Sequence, residues 1–301
     1  MQDFLNKVYN GDILELLSKL PDNSVDMVYG DPDYNVGIKY NDNSYTRSFN
    51  EYIKWYIALA KESMRVLKRD GNMFLINYPK QNSYLRVMYL DDACYSVNDY
   101  AWVYNTNIGQ SPRHFTTAHR SILHCTKTKD NKFYKDQVAV PYQNPTDKRI
   151  LKNIANGSKG RMPYSWFYYD LVKNVSKEKT FHSCQIPAKL SEMLINSCTK
   201  EGENVLIHFG GSGSEIVLCK ELHRNFISAE IDKKYYEMIL DRLQNGIIKE
   251  KYRLNLKKTA TPEKPVELHK TLRLLEERAK YGSSCSPRKN KTSKSKEKEL
   301  Q

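Results

Sequence analysis

The segment that most narrows what this chain can fold into runs from Asn204 to Glu230. An apolar run of strand length, Asn204 to Phe209, passes directly into Gly210-Gly211-Ser212-Gly213. A helical stretch from Ser214 to Leu222 and a second strand, Asn225 to Ala229, follow, and an acid, Glu230, closes the unit. A helix between two short strands leaves only a crossover connection, so the two strands are parallel neighbours in an α/β sheet. The glycines let the backbone approach a ligand closely, and the first N–H groups of the next helix face whatever binds there. No Gly-Lys-Ser/Thr completes a phosphate loop, and Ser214-Glu215-Ile216 supplies no third glycine for a dinucleotide fingerprint. An acid about 20 residues past the turn is placed to hold the two hydroxyls of a ribose. The unit reads as a nucleoside site.

The N-terminal half repeats this grammar. Val8 to Asp12 reads as a short strand entering a turn; Ile13, Leu16, Leu17 and Leu20 recur at helical spacing until Pro21-Asp22-Asn23. Val25 to Tyr29 is an apolar strand ending in Gly30-Asp31-Pro32-Asp33-Tyr34-Asn35. In an open α/β sheet the crevice beyond the carboxyl ends of the strands is where ligands bind. There a carboxylate can accept a hydrogen bond from an amino group, a proline stiffens the turn, and a tyrosine ring can stack on a flat base. Residues 37–48 are polar and read as a loop beside this tip. A long amphipathic helix is predicted from Phe49, with Tyr52, Ile53, Tyr56, Ala60, Met64 and Leu67 as its stripe and Asp70-Gly71 as its stop. Strands are predicted at Asn72–Asn77, Ser96–Tyr104 and Ser121–Cys125, seven in all. Helices from Pro187 to Cys198 and from Lys233 to Gln244 complete the pattern.

Charge is distributed unevenly. The net +13 resides in two blocks: residues 110–180 carry 14 basic and 5 acidic side chains, and residues 249–301 carry 16 and 7. The rest is mildly acidic. This is the footprint of a polyanion binder with a docking region and a basic tail. Between 127 and 180 periodicity breaks down, and basic residues alternate with Phe133, Tyr134, Tyr142, Tyr164, Trp166, Phe167, Tyr168 and Tyr169. Cations reach phosphates and aromatic faces contact bases, a mixture suited to nucleic acid. Arg113, Lys148, Arg149, Lys152, Lys159 and Arg161 are the candidate contacts; packing of the same aromatics in a small inserted subdomain is the competing reading. Six cysteines lie scattered without a C-x-x-C pair, which reads as reduced thiols with no metal site. Neither a signal peptide nor a membrane span is expected. Beyond about residue 255 a short leucine-striped helix precedes a Ser/Lys run expected to be disordered.

Asp31-Pro32-Asp33-Tyr34 and Phe209-Gly210-Gly211-Ser212-Gly213 together resemble the catalytic D-P-P-Y and cofactor F-x-G-x-G motifs of the β class of amino-methyltransferases acting on DNA. Asn10-Gly11-Asp12, the Leu20–Asp26 lead-in and His182-x-x-Gln185-x-Pro187-x-x-Leu190 extend the resemblance across residues 8–125 and 181–245. It implies a Rossmann-like, seven-stranded mixed sheet of the class I methyltransferase type, in permuted order with an inserted target-recognition region. It also implies S-adenosylmethionine as methyl donor and duplex DNA as partner, with a homodimer and a companion restriction endonuclease as further partners to test. Residues 1–126 would be the catalytic half, 127–180 the target-recognition region, 181–255 the cofactor half and 256–301 the basic tail. By the same resemblance Asp31, the Pro32 carbonyl and Tyr34 act on a flipped base. Asp12 meets the cofactor's adenine, Phe209, Gly211, Ser212 and Gly213 line its methionine part, and Glu230 binds its ribose. An Asp at the head of the motif resembles N6-adenine enzymes more than N4-cytosine ones, and the location implied is cytoplasmic, on the nucleoid. Three positions depart from the family: Asp33 replaces a proline, Ile207-His208 replaces Asp-Pro, and Ile186 replaces a frequent lysine. These keep open a weakened or silent DNA-binding paralogue or partner subunit on the same scaffold, beside an N4-cytosine enzyme.

Overall fold

The apolar runs of the sequence become strands of one mixed sheet. The structure, a computed structural model, describes residues 1–254 apart from 38, 41, 42, 45, 106–111 and 175. The strands are β1 (Lys7–Asn10), β2 (Val25–Gly30), β3 (Leu67–Asn77), β4 (Ser96–Val103), β5 (His119–Thr126), β6 (Trp166–Tyr168), β7 (Asn204–Phe209) and β8 (Asn225–Glu230). Their order is β1-β8-β7-β2-β3-β5-β4-β6. From β1 to β3 every pairing is parallel, β5 is antiparallel to both β3 and β4, and β6 runs parallel to β4.

The helices used below are α1 (Ile13–Lys19), α2 (Phe49–Val66), α3 (Pro79–Leu85), α4 (Lys148–Ala155), α5 (Ala188–Cys198), α6 (Ser214–Glu221) and α7 (Lys233–Asn245). The two-residue period of the strands divides the core between the faces of the sheet. Val28, Leu75 and Leu206 pack with α1 and α2 on one face. Met27, Tyr29, Phe74, Ile76, Val205 and Ile207 pack with α5, α6 and Ile239 of α7 on the other. A capping box between Ser48 and Glu51 opens α2, whose stripe of Tyr52, Ile53, Tyr56, Leu59 and Ala60 is fully buried. Burial of Ile53 or Leu59 contributes roughly 1.5–3 kcal/mol each.

Two expectations need correction. The long helix ends at Val66 and β3 begins at Leu67, so Gly71 does not stop a helix. It lies within the strand at a register shift between Val25 and Met27, where a Cβ would come within 2.8 Å of the Asp26 carbonyl oxygen. The sheet also has eight strands rather than seven. β6 is three residues long and two of its aromatics point outward, so its strand character is set by pairing with Ala101–Val103 rather than by hydrophobic alternation. The region read as aperiodic also contains α4, which buries no residue: Ile150, Leu151 and Ile154 share one of its faces, with Leu151 and Ile154 exposed.

Asp26, only 1% exposed at the start of β2, fixes three segments together. Its carboxylate accepts from Lys68 Nζ (2.8 Å), Lys132 Nζ (2.7 Å) and the Asn204 N–H (2.9 Å), and Lys132 also meets Glu203. Burial alone would raise this carboxyl; the Asn204 N–H, then Lys132 and Lys68, hold it below the ordinary carboxylate value. This pins the start of β2 against β7, which sets the register at the opposite end, where the ligand crevice lies. The short helix and Ser/Lys tail predicted beyond residue 255 lie outside the described residues.

Candidate active site

β2 and β7 are adjacent and in register, Met27 opposite Val205 and Tyr29 opposite Ile207, so their carboxyl ends emerge side by side. Chain segments almost 180 positions apart therefore share one pocket of about 1240 Å³ including its mouth. Asp12, Asp31, Pro32, Tyr34, Phe209, Gly211, Ser212 and Glu230 all line it. Gly213 does not. It caps α6 with φ +75°, packed under Ile239, and so shapes the turn without facing the cavity. Gly211 (φ +52°) occupies the left-handed region, and a Cβ there would stand 3.2 Å from the His182 ring.

At the β8 end, Glu230 accepts from the N–H groups of Gly211 (2.7 Å) and Asp232 (2.8 Å). Burial pushes its carboxyl up to about 7, with the N–H groups pulling the other way. The Glu230 carbonyl in turn accepts from Gly11 N–H and Asn10 Nδ2, which fastens the end of β1 beside it. Asp12 accepts from the Leu14 N–H as cap of α1. His182 packs edge-on against Tyr235 with ring centroids 4.7 Å apart, and burial lowers it to about 4, so it is neutral at physiological pH. Gln185 reaches Ser214 Oγ at 3.1 Å and ties its segment to the glycine turn.

At the β2 end, the Tyr34 hydroxyl donates to Asp31 Oδ1 at 2.5 Å. Burial pushes Asp31 up to about 7, the Tyr34 bond opposing it and the charge of Glu215 adding to it. Tyr34 is 3% exposed; its ring lies edge-on to Tyr78, and the Arg120 guanidinium is 5.3 Å from its centroid. The turn backbone is clamped through its carbonyls. Gln81 donates to Tyr34 O at 2.7 Å, Tyr52 to Asp33 O at 2.7 Å, and Asn77 braces the Tyr52 hydroxyl. Asn35 adds two bonds to the backbone of Arg47. An Asp in place of the family's proline is thus carried in a closed turn. Asp33 lines the pocket, and burial raises its carboxyl, with Asn35 N–H, Arg47 and Tyr34 N–H opposing.

His208, one of the departures from the family, does not face the pocket. Its Nε2 lies 2.7 Å from Ser63 Oγ, and its ring sits under Gly30, where a Cβ would come within 2.7 Å of Nδ1. Burial lowers it to about 3, so it is an uncharged core residue. Arg47, Trp55 and Glu215, which no sequence motif marks, also line the pocket. Arg47 stacks over Trp55 at 4.8 Å, and Trp55 lies 6.1 Å from Phe209. The basic candidates lie elsewhere and do not line the pocket. Arg113 is exposed, Lys148, Arg149 and Lys152 project from α4, and Lys159 and Arg161 precede β6. Arg161 lies 4.3 Å over Tyr164, which stacks on Trp166. Among the described residues no cluster of three His, Cys, Asp or Glu side chains has a metal-binding arrangement.

A mixed sheet that brings an acid–aromatic tip and a glycine turn from neighbouring parallel strands into one pocket defines a nucleoside-using α/β enzyme of the class I methyltransferase type. The solved PvuII DNA methyltransferase (cytosine-N4-specific) has this fold, with a TM-score of 0.58 at 20% identity over 80% of this chain and 93% of that one. The DNA methylase family model N6_N4_Mtase matches residues 25–241, and the chain belongs to that family. Among its relatives, type II methyltransferase M.BglII of Bacillus subtilis is 32% identical over 78% of this chain and 68% of its own length. The DNA adenine methyltransferase YhdJ of Escherichia coli (strain K12) is 25% identical over 78% of this chain and 82% of its own. As a member of this family the chain is a DNA methyltransferase with S-adenosylmethionine as methyl donor.

Proposed function

We propose that the chain methylates the N6 amine of adenine at a specific site in duplex DNA. The observation that carries this reading is the shared pocket, in which Asp31 and Tyr34 of the β2 tip face the glycine turn of β7. The adenine assignment is supported by the aspartate at the head of the motif and by the similarity to YhdJ, a DNA adenine methyltransferase. The residues present fit the cofactor. Glu230, buried and held by two N–H groups, presents a carboxylate for ribose hydroxyls, and Gly211 supplies the left-handed backbone that turns its N–H onto that carboxylate. Asp12 lies where the adenine would be met, and Phe209, Gly211 and Ser212 line the methionine end, with Gly213 setting the turn. When bound, the cofactor's sulfonium supplies the methyl group.

The remaining work falls to the chain. A target base enters after flipping from the duplex, at a cost of roughly a few kcal/mol. The Tyr34 hydroxyl gives up Asp31, whose carboxylate then accepts from the exocyclic amine together with the Pro32 carbonyl. The nitrogen lone pair is thereby aimed at the methyl group, an effect of positioning. The Tyr34 face supports the base. We assign residues 1–126 to the catalytic half, 181–255 to the cofactor half, and 127–180 to target recognition, with Arg113, Lys148, Arg149, Lys152, Lys159 and Arg161 on DNA phosphates. Work as a homodimer, beside a restriction endonuclease, and in the cytoplasm on the nucleoid belongs to the same proposal. Among the described residues no helix is long and apolar enough to cross a membrane.

The test is transfer of label from methyl-tritiated S-adenosylmethionine into duplex DNA, followed by nucleoside analysis. N6-methyladenine formed by the wild type and lost in Asp31→Ala supports the reading. N4-methylcytosine would replace the base assignment, and absence of label with absence of cofactor binding would support the silent paralogue.

A further inference from the structure

The family resemblance implies Asp-Pro directly ahead of the turn's phenylalanine, where this chain has Ile207-His208. Ile207 is packed in the core and His208 is held by Ser63, so neither replaces that acid in the pocket. On the far side of the turn, in the first turn of α6, stands Glu215, which lines the pocket beside Ser212. Its position is fixed: Oε1 accepts from Ser191 Oγ at 3.0 Å, and Ser191 Oγ is 2.9 Å from the Tyr29 hydroxyl. Glu215 is 7% exposed, yet no lysine or arginine forms an ion pair with it among the described residues. Arg242, whose charge lowers the Glu215 carboxyl, donates its hydrogen bond instead to the Ser212 carbonyl. Burial raises the Glu215 carboxyl, and its charge also raises Asp31.

A buried carboxylate with no ion-pair partner is costly, and two that repel each other across a cavity more so. Such a site is relieved by a cation on the ligand. The amino-acid end of the methyl donor brings one to the glycine turn. We infer that Glu215 binds the α-ammonium group of S-adenosylmethionine, in place of the acid that the family resemblance implies before the turn. This rests on the methyltransferase reading above. It also accounts for how a chain with Ile207-His208 retains a cofactor: the negative charge has moved from the end of β7 to the start of α6.

Calorimetry on the full chain tests it with two ligands. S-Adenosylhomocysteine keeps the α-ammonium; 5′-methylthioadenosine keeps the nucleoside and thioether and lacks the amino-acid end. Glu215→Gln preserves size and an oxygen for Ser191. It is expected to weaken S-adenosylhomocysteine about thirtyfold or more, the loss usual on removing one partner of a buried charge pair, and to leave 5′-methylthioadenosine unchanged. Retained 5′-methylthioadenosine binding also shows that the variant is folded. Unchanged affinity for both ligands, or equal loss of both, overturns the assignment. So does a selective loss in Asp33→Asn with none in Glu215→Gln, which gives the ammonium to Asp33. A wild type that binds neither ligand overturns the methyltransferase reading itself.

Discussion

Asp31 and Glu230 share an electrostatic problem: both are carboxyls that burial holds at about 7. A carboxyl raised in the folded state favours folding when protonated. Its contribution is fully present below the ordinary carboxylate range and is lost as pH rises to about 7. Ligand hydroxyls and ammonium groups prefer the ionised form, so binding opposes this preference and releases protons near neutrality. S-Adenosylhomocysteine affinity is therefore expected to fall about tenfold from pH 8 to pH 6 for each such group engaged. Calorimetry in buffers of different ionisation enthalpy checks it; no proton release at pH 7 would show that neither carboxyl meets the ligand. Asp31, Tyr34 and Glu230 were legible as site candidates because each sits at a strand tip marked by turn residues. Glu215, Arg47 and Trp55 were not, since a helix start, a polar loop and the flank of an apolar stripe acquire meaning only when strands from distant segments pair.

Two elements carry predictions of different kinds. At the root of β2, Asp26→Ala leaves Lys68 and Lys132 without their shared partner and the Asn204 N–H unsatisfied. Breaking such a buried pair costs about 3 kcal/mol, and because the lysines are part-exposed the loss belongs at or below that figure. Urea unfolding of the variant at pH 7 measures it; an unchanged midpoint means the lysines relax into water without cost. The wild-type carboxyl lies below its ordinary value, so its stabilisation is present at neutral pH and is lost as pH falls through that lowered value. At β6, Tyr164 just before the strand and Trp166 and Tyr168 on it are exposed beside Arg161, with Trp166 55% exposed. If these rings meet bases, Trp166→Ala weakens DNA binding by about 1–3 kcal/mol in a fluorescence titration while S-adenosylhomocysteine binding holds. Equal DNA affinity in the variant would return the ladder to a purely structural role. β6 shows why part of the fold escaped the sequence: three residues on an edge, paired only to Ala101–Val103, are too few for a period to register. Gly71 shows the converse error, a residue read as helix punctuation that is there to let β3 pass close to Asp26.

Over the whole molecule, the charge blocks at 110–180 and 249–301 set the behaviour toward a polyanion. Deleting residues 283–301 is expected to lower nonspecific DNA affinity and flatten its salt dependence, by about 0.9 in log–log slope for each phosphate contact removed, with methylation retained. An unchanged slope would mean that the tail does not touch DNA. The order β1-β8-β7-β2 carries a further consequence for how the protein is made. The first 126 residues supply β1 and the block from β2 to β4, but the two strands that join them, β7 and β8, are synthesised last. A nascent chain therefore leaves the ribosome with one flank of β2 unpaired and its acidic tip assembled against nothing. A chain cut short of Asn204 has half a cleft, with no competence to modify a genome.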